Sequence, residues 1–141
     1  MGALDNRVAV VTGGATLIGQ KVVEALVAEG AKCVVGDIDA EGGETLANAQ
    51  GDAVVFLRTD VTKDADLDAL VSTAGERFGG LDIVVNIAAT YLDNGIASSR
   101  EDWLTALNTN VVGGALLVQK AAPVMKQRGG GAVVNFASIS G

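Results

Sequence analysis

Five short apolar runs, rich in valine, recur along the chain and are the candidate strands of a sheet. Few polar residues alternate with the apolar ones, which is typical of strands buried on both faces of a parallel sheet. The runs occupy residues 7–12, 32–36, 53–58, 81–86 and 132–136.

Apolar residues recur at helical spacing between these runs, so a helix is predicted between each strand and the next. The first helix begins near Ile18, the second is N-capped by Asp39 and ends near Ala49, and the third is N-capped by Thr62 and ends at Phe78.

The fourth predicted helix is the longest, and it carries two apolar stripes. Ser98 and Glu101 form a predicted capping box at its start, and the helix ends at Gly129. Two stripes indicate burial on more than one side, against the sheet and against another subunit, so we expect a homodimer or homotetramer. One stripe is Leu104, Leu107, Val111, Ala115, Val118 and Met125, and the other is Trp103, Ala106, Asn110, Gly113, Leu117 and Ala121.

The alternation of strands and helices predicts one α/β domain over residues 1–141, with a doubly wound parallel sheet and right-handed crossovers. Ligands of this architecture bind at the carboxyl ends of the strands. The fifth run is apolar throughout and needs cover on both faces, which the few residues after it do not supply. We therefore expect a domain that is incomplete on its C-terminal side.

Charge and composition narrow the classes of function. The net charge of −7 and the scattered basic residues argue against a nucleic-acid or anionic membrane partner. No apolar stretch reaches the roughly 18 residues of a membrane span, and no secretory leader is recognisable, so a cytoplasmic protein is expected.

Cys33 is the single cysteine and is expected to be a buried, inert thiol. Histidine, the commonest metal ligand, is absent, and no metal site is expected.

A glycine-rich segment, Thr12-Gly13-Gly14-Ala15-Thr16-Leu17-Ile18-Gly19, lies between the first strand and the first helix. Glycines permit a tight turn there and let backbone N–H groups approach a diphosphate at the helix N-terminus, where the helix dipole favours anions. Gly13, Thr16, Leu17, Ile18 and Gly19 are therefore candidate cofactor-binding residues. The alternative is a glycine-rich turn with no ligand.

Asp37 ends the second strand, and an acid at that point of this architecture can accept hydrogen bonds from both ribose hydroxyls of an adenosine. Its charge repels a 2′-phosphate, and neither Thr16 nor Ile38 offers a base to bind one. NAD is therefore favoured over NADP. The alternative is that Asp37 only starts the turn into Asp39.

Taken together, these features resemble the short-chain dehydrogenase/reductase family along essentially the whole chain, which implies a Rossmann fold. The segments that carry the resemblance are Thr12, Gly13 and Gly19 of the glycine-rich turn, Asp60-Val61 after the third strand, Asn86-Ile87-Ala88-Ala89 after the fourth, Asn110 in the long helix, and Asn135-Phe136-Ala137-Ser138 after the fifth.

The resemblance also implies roles for these residues. Asp60 and Val61 hold the adenine ring, and the backbone of the segment from Asn86 passes the adenosine ribose. Ser138 and Asn110 are the implied catalytic serine and asparagine. Because Asn110 lies on an apolar stripe, we expect its amide to have a buried partner; the alternative is a solvent-facing asparagine near a subunit boundary.

Two departures from the family pattern bear on binding. Leu17 stands where the family has the middle glycine of the phosphate loop, and a positive φ there would cost about 1 kcal/mol or more. We expect an ordinary conformation with the Leu17 side chain pointing away. Ile87 and Ala89 alter the fourth-strand motif, with a change of local packing as the expected effect.

The implied reaction is hydride transfer between a small-molecule substrate, a secondary alcohol or ketone, and NAD. The family's acid/base pair, Tyr-x-x-x-Lys, is not found within residues 1–141, and Tyr91 does not have its position. The chain alone is therefore expected to be inactive. Ser140 is a weaker candidate for the same pocket as Ser138. The alternatives are a nicked enzyme whose remainder is elsewhere and a non-catalytic NAD-binding domain.

Overall fold

A parallel five-stranded sheet forms the centre of the molecule in the computed structural model, which describes residues 2–92 and 94–139. Its strands are β1 (Val8–Thr12), β2 (Lys32–Asp37), β3 (Val54–Arg58), β4 (Ile83–Asn86) and β5 (Ala132–Asn135). They lie in the order β3-β2-β1-β4-β5, and every neighbouring pair is parallel. The predicted doubly wound α/β fold is confirmed.

Within the described residues, five α-helices connect the strands. They are α1 (Leu17–Ala28), α2 (Ala40–Gln50), α3 (Asp64–Phe78), α4 (Arg100–Leu107) and α5 (Gly113–Gln127). Short 3₁₀ turns occupy Gly51–Ala53 and Gly95–Ala97, and a π-helical turn, Asn108–Val112, joins α4 to α5.

Each face of the sheet has its own apolar core. Val8 and Val10 of β1 point to the face covered by α3 and α5, whereas Ala9 and Val11 point to the face covered by α1 and α2. Cys33 lies in the second core, and burial raises the pKa of its thiol to about 12. The predicted buried, inert cysteine is confirmed.

Strand β5 lacks cover, as the sequence predicts for a domain that is incomplete on its C-terminal side. It is the edge strand of the described sheet, and all four of its residues are exposed. Its register with β4 is nevertheless regular, from Ile83 opposite Ala132 to Asn86 opposite Asn135.

Two of the three predicted helix caps were placed wrongly. Asp39 caps α2 as predicted, and its carboxylate accepts from the Gly42 N–H at 3.0 Å. The capping box of α4, however, is Ser99 with Asp102, one residue beyond the predicted pair of Ser98 and Glu101. Thr62 does not cap α3 either, because the N-cap position is Lys63, which makes no side-chain cap bond.

The long predicted helix is interrupted by the π turn, and its two apolar stripes differ in burial along their length. Gly113, Leu117 and Ala121 of α5 are buried against the sheet, as expected. Four residues at the start of the stripes are exposed in the single chain: Trp103, Leu104, Leu107 and Val111.

None of the helices in the described ranges is both long and apolar enough to cross a membrane.

A buried carboxylate joins three elements at the amino edge of the sheet. Asp82, whose side chain is 3% exposed, accepts from the Val8 N–H at 2.9 Å, from Arg7 at 3.0 Å and from Arg128 at 3.0 Å. Burial by itself raises the pKa of Asp82, but the hydrogen bonds from Val8, Arg128 and Arg7 outweigh it and lower the pKa below its usual value. The charged form therefore stabilises the fold.

Asp82→Asn should lower the free energy of unfolding by about 2 kcal/mol near neutral pH, because two guanidinium groups and an N–H lose a charged acceptor. A folded-state pKa below the unfolded value gives stability that is present above about pH 4 and is lost as the pH falls through the folded pKa. Urea unfolding from neutral to acidic pH measures both effects. Exposed Asp52→Asn is the control, with an expected change within about 0.5 kcal/mol. Equal stability of the two variants near neutral pH would contradict the assignment.

Candidate functional site

The candidate site lies at the carboxyl edge of the sheet, where two cavities meet. One, of about 350 Å³, is lined by residues that follow β1, β2, β3 and β4, among them Gly13, Asp37 and Asp60. The other, of about 500 Å³, includes Asn86, Asn110 and Asn135. Val61, Ala88 and Thr109 line both cavities. We call them the first and second cavity.

The glycine-rich turn from β1 to α1 is held by its own hydrogen bonds. Gly13 has φ +71°, which favours glycine, and its N–H donates to the Gly36 carbonyl oxygen at 2.8 Å. The Thr16 hydroxyl donates to the Gly13 carbonyl oxygen at 2.7 Å and accepts from the Gly19 N–H at 3.0 Å. Thr16 is therefore the N-cap of α1, and its hydroxyl is engaged within the turn.

The first two amides of α1 remain available to a ligand. The N–H groups of Leu17 and Ile18 have no protein acceptor in the part of the chain that the structure describes. Two unpaired donors at the positive end of a helix fit the phosphate oxygens of a dinucleotide.

Leu17 adopts the ordinary conformation that was expected from the sequence. Among the described residues, Asn6 is the one non-glycine with positive φ, so the leucine in the glycine-rich turn is unstrained. Its side chain is 80% exposed and does not line either cavity. The substitution therefore leaves the backbone of the turn free to accept a ligand.

Asp37 connects the end of β2 to the glycine-rich turn. The residue is buried, and its carboxylate accepts from the Ala15 N–H at 2.9 Å through one oxygen and from the Asp39 N–H at 2.9 Å through the other. The carboxylate thus starts the turn into Asp39, which was one interpretation of the sequence. It also lines the first cavity, as the other interpretation, a ligand for a ribose, requires. Each oxygen keeps a second lone pair for a ribose hydroxyl.

Asp60 and Val61 follow β3 on the wall of the first cavity. The Thr62 hydroxyl and the Thr62 N–H both donate to the Asp60 Oδ1 atom, at 2.6 Å and 2.9 Å. These two bonds are the main reason why the pKa of Asp60 is lowered. Val61 is buried under α5, where Gly113 packs against its carbonyl oxygen.

Asn86 ends β4, where its side chain connects β4 to β5. Its Nδ2 donates to the Asn135 Oδ1 at 2.9 Å, and Thr12 accepts from the N–H groups of Ile87 and Ala88 at 3.3 Å and 3.4 Å. Ile87 packs against the core on the α1 and α2 face of the sheet, and Ala89 lines the first cavity. The segment from Asn86 therefore borders both cavities.

Asn110 lies in the π turn, and its side-chain amide accepts one hydrogen bond and donates another. Its Oδ1 accepts from the Thr90 N–H at 2.7 Å, and its Nδ2 donates to the Thr90 carbonyl oxygen at 2.9 Å. The expectation of a buried partner was wrong, because Asn110 is exposed in this chain and its partner is backbone on the loop after β4. The side chain lines the second cavity.

Of the remaining candidates, Ser138 and Tyr91 fall within the described residues. Ser138 is exposed in the segment after β5, two residues beyond Phe136, which lines the second cavity. Ser140 falls outside the described residues. Tyr91 is exposed and lines neither cavity. Within residues 2–92 and 94–139, no three Cys, Asp or Glu side chains are grouped to hold a metal ion.

Several threonines of the site were missed or misread in the sequence. Thr90 pairs with Asn110, and Thr109 lines both cavities. Thr62 was interpreted as a helix cap. Its position directly after Asp60-Val61 was the available signal, because threonine two residues after aspartate commonly bonds back to the carboxylate.

The fold and the two cavities define an α/β protein whose ligand site lies at the carboxyl edge of a parallel sheet. The family model described as short chain dehydrogenase matches residues 7–141. The chain therefore belongs to the short chain dehydrogenase family.

Similar proteins include an uncharacterised oxidoreductase and a 3-alpha-(or 20-beta)-hydroxysteroid dehydrogenase, both of Mycobacterium bovis. The first is 39% identical over 98% of this chain and 57% of its own length, and the second is 39% identical over 99% of this chain and 54% of its own. This chain thus spans little more than half the length of these relatives.

A similar solved structure is the 3-ketoacyl-(acyl-carrier-protein) reductase of Brucella melitensis, complexed with NADH. It matches with a TM-score of 0.89 and 32% identity, over 96% of this chain and 59% of the reductase chain. The shared architecture therefore extends over nearly all of the chain.

Gly19→Ala should destabilise the chain by about 2 kcal/mol, because a Cβ at Gly19 collides with the Gly13 carbonyl oxygen and must displace the turn. The matched control is Gly75→Ala in α3, where nothing lies within 4 Å of the added methyl group. That variant should be more stable by about 0.5–1 kcal/mol. Chemical unfolding measures both, and a neutral Gly19→Ala would contradict the close packing of the turn.

Proposed function

We propose that this chain is the NAD-binding part of an oxidoreductase that interconverts a secondary alcohol and a ketone, with a small molecule as its substrate. One observation carries the proposal: the unpaired N–H groups of Leu17 and Ile18 and the buried carboxylate of Asp37 lie at the same edge of the sheet. The amides suit a diphosphate, and the carboxylate suits the neighbouring ribose.

The preference for NAD over NADP rests on the charge of the first cavity. Asp37 and Asp60 are acidic, and none of the described residues lining this cavity is basic. A 2′-phosphate would therefore meet repulsion without a compensating cation. The NADH complex of the Brucella reductase, which shares the fold, supports a nicotinamide cofactor for this chain as well.

The proposed cofactor-binding residues can be assigned in order along the dinucleotide, from its diphosphate to its adenine. Gly13, Thr16 and Gly19 shape the turn, while Leu17 and Ile18 supply the amides. Asp37 binds the ribose. Asp60 and Val61 border the adenine site, and Asn86 supports the segment that passes the ribose.

Ser138 and Asn110 are the proposed catalytic residues of this chain. When bound, the nicotinamide supplies or accepts the hydride. The Ser138 hydroxyl donates a hydrogen bond to the substrate oxygen and stabilises the charge that develops there. Asn110, which is held by Thr90 and lines the second cavity, would contribute a polar group to a proton path to solvent.

The acid/base of the reaction is proposed to lie outside residues 1–141. Tyr91 is the single tyrosine of the sequence, and the fourth residue after it is Gly95, so the family's Tyr-x-x-x-Lys pair is not formed here. The full site then needs groups beyond this chain.

The assembly and location are proposed from the surface. Trp103, Leu104, Leu107 and Val111 expose apolar area along α4 and the π turn, which suits a homodimer or homotetramer. The acidic surface and the absence of clustered bases favour a cytoplasmic protein without nucleic-acid or membrane partners.

Calorimetric titration should show that the chain binds NAD at least about tenfold more tightly than NADP. Asp37→Asn should reduce this preference, because it removes the charge that repels a 2′-phosphate and keeps an oxygen to accept from Ala15. Asp39→Asn, which keeps the oxygen that caps α2, is the matched control and should leave the preference unchanged. Tighter binding of NADP by the unaltered chain would overturn the cofactor assignment.

The 141-residue chain should show no turnover of alcohols or ketones with NAD, because no described group replaces the acid/base. Absorbance of NADH, followed over hours with a preparation of verified intact mass, tests this. A measurable dehydrogenase rate from that preparation would place the acid/base within residues 1–141 and refute the assignment.

A further inference from the structure

The connection between β3 and α3 holds the Asp60 carboxylate by one oxygen only. Thr62 donates to Oδ1 twice, through its hydroxyl at 2.6 Å and its N–H at 2.9 Å. Within the described ranges, Oδ2 accepts no hydrogen bond from the protein. One oxygen is therefore occupied, and the other remains available.

The backbone under this carboxylate is also held in place. The Asp60 N–H donates to the Asp66 carboxylate at 2.8 Å, and the Asp60 carbonyl oxygen accepts from the Lys63 N–H at 3.0 Å. With the backbone held by these bonds, the remaining freedom of Asp60 is rotation of its side chain. The Thr62 hydroxyl is the side-chain group that opposes this rotation.

The carboxylate is negatively charged at neutral pH and so accepts hydrogen bonds without donating any. The bonds from the Thr62 hydroxyl and N–H lower the pKa of Asp60 most, burial opposes them, and the charges of Lys63 and Arg58 lower it further. An ionised oxygen attracts an amino group and repels a carbonyl oxygen.

Asp60 lines the same cavity as Asp37, the proposed ribose ligand. Ala89, Thr105 and Thr109, which line the same cavity, carry no charge. The free oxygen of Asp60 is therefore the charged acceptor that a purine base beside that ribose would meet. The direction in which this oxygen points determines which donor group of the purine can bond to it.

We propose that Thr62 is a positioning residue that orients the Asp60 carboxylate and so makes the site select a 6-amino purine over a 6-oxo purine. This inference rests on the proposed function, because the purine belongs to the bound dinucleotide. Without the Thr62 hydroxyl, the carboxylate can rotate, so its free oxygen is no longer directed at the 6-amino group and the preference for that group falls.

The test compares NAD with nicotinamide hypoxanthine dinucleotide, which differs at the purine 6-position. Calorimetry gives the affinity of each for the unaltered chain, Thr62→Val and Thr62→Ser. Valine matches the size of threonine without a hydroxyl, and serine keeps the hydroxyl. We expect the preference for NAD to fall about three- to tenfold in Thr62→Val and to persist in Thr62→Ser.

A second measurement needs no dinucleotide. The carboxyl carbon shift of Asp60, followed by NMR against pH, should give a higher pKa in Thr62→Val than in the unaltered chain, and an unchanged pKa in Thr62→Ser. Thermal unfolding checks that each variant folds, and Thr62→Ala replaces the valine variant if that one does not.

The outcomes separate this inference from the function on which it rests. Normal NAD binding with an undiminished preference in Thr62→Val would overturn the role of Thr62 alone. Equal affinity of the unaltered chain for both dinucleotides would do the same. A chain that binds neither dinucleotide would contradict the proposed function and the inference together.

Discussion

The hydrogen bond from the Ala15 N–H to the Asp37 carboxylate is the interaction on which the candidate site depends. It joins the end of β2 to the turn that follows β1, two neighbouring strands whose carboxyl ends are already adjacent through the sheet register. The bond sets the position of the turn relative to the carboxylate. The amides at the start of α1 and the proposed ribose ligand therefore keep a defined spacing before any ligand arrives.

Much of the fold could be predicted because the strands of a parallel sheet are buried on both faces and read as continuous apolar runs. Each predicted strand overlaps an observed one, with ends displaced by at most two residues. The glycine-rich turn and Asp37 were recognisable for the same reason, since their position after β1 and β2 follows directly from the alternation of strand and helix.

The missed features depend on contacts that a local pattern does not contain. The capping pattern fits two registers at the start of α4, Ser98 with Glu101 and Ser99 with Asp102. In the structure, Ser99 and Asp102 form the capping bonds. The partner of Asn110 is the backbone of Thr90, twenty positions away along the chain, which no helical spacing indicates. The exposure of β5 was expected because too few residues follow it to cover it, but its place at the edge of the described sheet was not, because a hydrophobic run by itself does not reveal strand order.

The central claim is that a dinucleotide binds with its diphosphate on the β1–α1 turn and its ribose on Asp37. Backbone amide NMR of the labelled chain during titration with NAD tests it most directly. The account predicts that the largest shifts occur at Leu17, Ile18 and the residues flanking Asp37. Shifts confined to the outer groove between α1 and α2, around Thr45 and Ala49, would contradict it.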